Sequence, residues 1–76
     1  MATARLHLTF PQHLMSQPIV HTLGADFDLV VNIRRANLEE ERGGWIIVEV
    51  AGDDDRVASA IAWLAEQGLQ VDRIEP

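Results

Sequence analysis

Residues 27–51 read FDLVVNIRRANLEEERGGWIIVEVA, and this stretch decides the fold. Phe27, Leu29, Val31 and Ile33 alternate with Asp28, Val30, Asn32 and Arg34. Period two over this length is the pattern of a half-buried strand, and the β-branched content suits a pleated surface. The polar segment from Asn37 to Arg42, together with Gly43-Gly44, predicts a turn. A further strand follows from Trp45 to Ala51. Ile46, Val48 and Val50 lie on one side of it, and Trp45, Ile47 and Glu49 on the other. Two such runs joined through glycines pair as a hairpin.

Working outward, Ala4, Leu6, Leu8 and Phe10 alternate with Arg5, His7 and Thr9, which predicts a first strand ended by Pro11. Ser16 ahead of Pro18 is a helix-start signal, because the first turn leaves the N–H that proline lacks unpaired in any case. That helix is expected to bury Ile19, Val20 and Leu23 and to stop near Gly24 or Ala25. After the hairpin, Asp53 or Asp54 can cap a second helix, and the neighbouring acids favour the positive end of its dipole. Val57, Ile61, Leu64 and Ala65 form its apolar stripe, and Gly68 its C-cap. Leu69, Val71 and Ile74 mark a last strand. The order βαββαβ is that of the ferredoxin-like plait, an α+β fold with four antiparallel strands and two helices on one sheet face. Leu6, Leu8, Phe10, Leu29, Val31, Ile33, Val48 and Val50 are expected to meet the helices.

The chain has 76 residues and no cysteine, which reads as one domain over residues 1–76 and excludes a disulfide framework and thiolate-held metal centres. Twelve acids stand against six arginines, and lysine is absent. A net charge of −6 argues against generic nucleic-acid binding, and Arg34-Arg35 is the only adjacent basic pair. No apolar run approaches a membrane span of roughly 18 residues or more, and no signal-peptide core follows the N-terminus. A cytoplasmic protein is expected.

The motifs of catalysis are absent. His7, His13 and His21 lack metal-ligand spacing, and the Asp53–Asp55 run is simplest as a helix cap. Gly43-Gly44 lacks the Lys and Ser/Thr of a phosphate loop, and no base is placed beside Ser16 or Ser59. Neither an enzyme nor a metal or cofactor site is expected. Strand parity instead leaves a sheet face without helices, and Val30, Trp45, Ile47 and Ile74 are too apolar for a plain solvated surface. A partner or ligand would explain them. Trp63, nearly opposite Ile61 on the helix wheel, either packs on a nearby loop or joins an interface. Val30, Trp45, Ile47 and Trp63 are therefore the candidate interface residues.

Val31-Asn32-Ile33, the Gly-Gly pair, Val48-Glu49-Val50, Ala60-Ile61-Ala62-Trp63-Leu64 and Gln67-Gly68-Leu69-Gln70-Val71 together resemble the NIL domain. The resemblance implies a ferredoxin-like fold and a regulatory domain of bacterial methionine importers that binds methionine where two copies meet. It places Asn32, Ile33 and Arg34 at the name-giving Asn-Ile-Leu positions, with Arg34 departing from Leu and Ala36 from a frequent Gly. The expectation is a free-standing regulatory domain sensing an amino acid, methionine or a sulfur-containing relative, at a homodimer seam. Its expected ligand-binding residues are Asn32, Ile33 and Arg34. The alternative is an interaction module that docks an unidentified protein partner through the open sheet face without a small-molecule ligand.

Overall fold

Ala4, Leu6, Leu8 and Phe10 are buried along one side of β1, Ala2–Phe10, and this strand is the middle of the molecule. The computed structural model describes residues 1–74. After β1 come a 3₁₀ turn, Gln12–Leu14, and α1, Ile19–Ala25. Next are β2, Val30–Glu39, β3, Gly43–Gly52, α2, Asp54–Gln67, and β4, Gln70–Ile74. The four strands form one antiparallel sheet in the order β2-β3-β1-β4. The chain has the α+β ferredoxin-like plait.

The core lies between the sheet and the helices. Leu6 pairs with Val48 and Leu8 with Ile46 in the β1–β3 register, and all four are essentially inaccessible. Leu23 of α1 and Val57, Ala60 and Leu64 of α2 close over them. Asp53 caps α2, its Oδ1 accepting from the Asp55 N–H at 3.0 Å. Gly68 ends the helix in the left-handed conformation, φ 103°, which glycine adopts without the Cβ penalty. Helix α1 has only seven residues. Pro18, not Ser16, stands at its cap position, with no side-chain cap bond.

The hairpin departs from expectation at both ends of β2. The strand begins at Val30 rather than Phe27, because Asp28 takes a left-handed φ of 54° that breaks the extended run. Leu29 reaches the core, Val31 is half-buried, and Ile33 stays 54% exposed because β2 is an edge strand lying beyond the cover of α2. The strand also runs on to Glu39, so Asn37 and Leu38 are strand residues and the turn is Glu40, Glu41 and Arg42. Gly43 and Gly44 open β3 instead of making that turn. Both have positive φ, and a Cβ on Gly43 would collide with the Phe10 carbonyl oxygen and one on Gly44 with that of Asn37. Glycine is required there by close backbone approach.

Candidate functional site

Strand β2 has β3 on one side and nothing on the other, so its outer edge is unpaired among the described residues. The two faces of this edge strand differ in chemistry, and a β-bulge sets the difference. Ile33 pairs with Val48 and Arg35 with Ile47, which leaves Arg34 as the extra residue. A bulge of this kind places two residues opposite one. Beyond it the alternation changes phase. Asn37 pairs with Trp45 on the open face, while Ala36 pairs with Ile46 on the helix side.

On the open face the register builds three rows across the sheet. Ile74, Arg5, Glu49 and Asn32 form the first, and Asp72, His7, Ile47 and Arg35 the second. Gln70, Thr9, Trp45 and Asn37 form the third. Glu49 is the hub of the first row. Its Oε2 accepts from Nη2 of Arg5 at 2.6 Å and Nε at 3.2 Å, and from Nε of Arg34 at 3.1 Å, with Nη2 of Arg34 in ion-pair contact at 3.0 Å. The Arg5 guanidinium first, and the Arg34 guanidinium second, hold the Glu49 carboxyl below its ordinary value. Arg5, Arg34, Arg35, Ile47 and Ile74 line a shallow depression of about 520 Å³. Beside it the His7 and Trp45 rings stack, with centroids 5.5 Å apart.

On the helix side, β2 and α1 enclose a second, apolar groove of about 230 Å³. Ile33, Ala36 and Leu38 form the strand wall. Met15, Pro18, Ile19 and Val20 form the other, with the buried Phe10 and Ile46 between them. Ile33 and Leu38 are among the few large apolar side chains left exposed, at 54% and 41%.

The expected ligand residues are thus divided between two faces. Asn32 is on the open face opposite Glu49, Ile33 lines the apolar groove, and Arg34 sits in the bulge bound to Glu49. Within one chain they do not converge on one cavity. Of the expected interface residues, Val30, Trp45 and Ile47 share the open face. Trp63 does not join them: it is half-buried on α2 against Phe27, ring centroids 5.4 Å apart, packed on the core. Arg35 was not anticipated on the open face. Its signal is the jump in apolar spacing from Ile33 to Ala36, three residues where alternation requires two. Among the described residues, no group of three or more His, Cys, Asp or Glu side chains could hold a metal ion, and no charged side chain is buried.

This βαββαβ plait is an α+β fold whose strand β2 leaves an unpaired edge. The chain is a member of the NIL domain family, which matches residues 4–73. It is 36% identical over 72 residues to the methionine import ATP-binding protein MetN of Coxiella burnetii, covering 91% of this chain and 20% of that protein. The chain therefore spans one fifth of that relative's length. It is also 30% identical over 73 residues to an uncharacterized protein of Synechococcus elongatus, covering 93% of this chain and 90% of the other. Among solved structures, the C-terminal domain of an ABC transporter ATP-binding protein from Enterococcus faecalis superimposes with a TM-score of 0.81. The match covers 93% of this chain and 82% of that one at 18% identity, which is a likeness of fold. No helix among the described residues is long and apolar enough to cross a membrane.

Proposed function

We propose that this NIL domain is a cytoplasmic regulatory module that senses an amino acid, methionine or a sulfur-containing relative, at the seam of a homodimer built along β2. The observation that carries the reading is the apolar groove opening beside the unpaired edge of β2. Its volume lies below the roughly 300–1,000 Å³ of drug-sized ligand sites, which suits a small metabolite. Its lining is largely apolar, with Met15 and Phe10 among aliphatic side chains and Gln17 and His21 as the polar members, which suits a thioether side chain. The Coxiella relative is a methionine import ATP-binding protein, which points to the same ligand class.

The edge explains why a second copy is needed. In a single chain the groove lies open along the unpaired outer edge of β2, with Asn32 on the other face of the same strand. A copy added along β2 would set its own edge residues beside them. The Asn32 amide offers donors and an acceptor for an ammonium and a carboxylate. The other geometry, open faces stacked on each other, would press Arg34 and Arg35 against their own copies, and like charges so placed are costly. The test is calorimetric titration of the whole chain with L-methionine and a panel of other amino acids. Saturable binding is expected, weakened about tenfold or more by Asn32→Ala or by Ala36→Leu, which fills the groove. Silence across the panel refutes the reading.

A further inference from the structure

The open sheet face is a separate surface from the groove, and its charge identifies what it fits. In a regular strand, adjacent residues point to opposite faces. The bulge brings Arg34 and Arg35 to the same one, where both line the depression with Arg5. Half of the six basic residues of a chain of net charge −6 are thereby gathered on one face. Asp72 stands on the same face at β4, away from the β2 arginines, and Glu49 offsets one of these charges. Its contacts to Arg5 and Arg34 converge on the single oxygen Oε2, and Arg35 makes no ion pair among the described residues. Ile47 and Ile74 supply apolar surface in the depression, and the Trp45–His7 stack flanks it.

A wide, shallow face of arginine, tryptophan and aliphatic side chains has the composition of a protein-docking centre. Small-ligand sites enclose most of their ligand, which this depression does not do. We propose that the open face docks a partner protein through an acidic segment. Its carboxylates would take the guanidinium edges of Arg34 and Arg35 that Glu49 leaves open, in the paired N–H···O geometry arginine favours. An apolar side chain between those carboxylates would lie on Ile47 and Ile74. Glu49 is a positioning residue here, since it fixes Arg5 and Arg34 from below without needing to touch the partner.

The probe is a synthetic peptide of alternating Glu and Leu, titrated into the isotope-labelled full chain, with the same peptide carrying Gln for Glu as control. Amide shifts are expected at Arg5, Arg34, Arg35, Ile47 and Ile74, with Trp45 fluorescence following the same isotherm. Affinity should fall about tenfold between low and physiological salt, and the Gln peptide should bind at least about tenfold more weakly. Arg35→Glu should abolish binding while leaving the melting temperature unchanged, because Arg35 is exposed and makes no ion pair among the described residues; Arg35→Lys should restore part of it. Absence of shifts at millimolar peptide overturns the proposal, and so do shifts centred on the β2–α1 groove. Inorganic phosphate or citrate binding as tightly as the peptide would make this a small-anion site instead. Salt-sensitive self-association lost in Arg35→Glu would make the occupant a second copy and equally overturn the acidic-partner assignment.

Discussion

Replacing Ile33 by alanine tests the proposed homodimer seam at its most exposed apolar point on the helix side of β2. Full burial of an isoleucine side chain is worth about 1.5–3 kcal/mol. In the single chain Ile33 is 54% exposed, so roughly half of that, about 0.8–1.6 kcal/mol, remains to be gained when a second copy covers it. A two-fold seam gains it twice, about 1.6–3.2 kcal/mol, which corresponds to about fifteen- to two-hundredfold in the dimer dissociation constant. Alanine retains one methyl group, so the expected loss is about ten- to a hundredfold. The part of Ile33 already packed within the chain sets a separate, smaller cost of about 1 kcal/mol to the monomer. Sedimentation velocity over a concentration series measures the first effect, and thermal melting at high dilution the second. A dissociation constant that moves less than about threefold, or a wild-type chain that stays monomeric at every concentration, would refute the seam.

Three further outcomes follow from the same contacts. Gly43→Ala introduces a Cβ at φ +86° against the Phe10 carbonyl. The left-handed conformation costs about 1–2 kcal/mol and overpacking about 1–3 more, a large part of a total near 4–11 kcal/mol for 76 residues. A fall in melting temperature of at least about 8 °C is expected, and one below about 3 °C would contradict the close approach. Asp53→Ala removes the α2 cap bond and should cost about 1 kcal/mol by urea denaturation, with Asp53→Asn nearly neutral; equal losses in the two would reject the cap. Glu49 is held by Arg5 and Arg34 below the ordinary carboxylate value of 4.5, so the folded chain binds its proton more weakly than the unfolded one. Its stabilising contribution is complete above that value and is lost as pH falls through the lowered one. The stability-against-pH curve of Glu49→Gln should therefore be flatter than wild type below about pH 4.5, and superimposable slopes would exclude the linkage.

The element order was legible because the periodicity switches cleanly between two and 3.6, and the capping residues of α2 sit where hydrogen-bond chemistry needs them. Parity also assigned the open-face residues Arg5, His7, Trp45, Ile47 and Glu49 correctly. Parity fails where the backbone leaves the extended region. Asp28 lies within an apparent alternation yet turns the chain, which detaches Phe27 from β2 and lets it pack on Trp63. The Trp63 wheel position was readable, but its neighbour comes from a loop whose path depends on that turn. Gly43-Gly44 has turn composition, yet the pair serves a close approach to Phe10 and Asn37 that exists only once three strands are assembled.

The bulge at Arg34 is the feature that joins the candidate sites. Without it, fixed alternation after Ile33 would send Ala36 and Leu38 to the open face and turn Arg35 and Asn37 toward the apolar wall of α1. That would strip water from a guanidinium and an amide with no partners to replace it. One extra residue avoids this and sorts the strand into an aliphatic groove on one side and a paired-arginine surface on the other. The two surfaces are therefore not independent in mechanics. Ile33 and Ala36 in the groove flank Arg34 and Arg35 on the open face along four consecutive residues of a single edge strand. On the proposed function, an occupant of the groove that displaced this segment would also displace the guanidinium pair, and a second copy added along β2 would stiffen both at once.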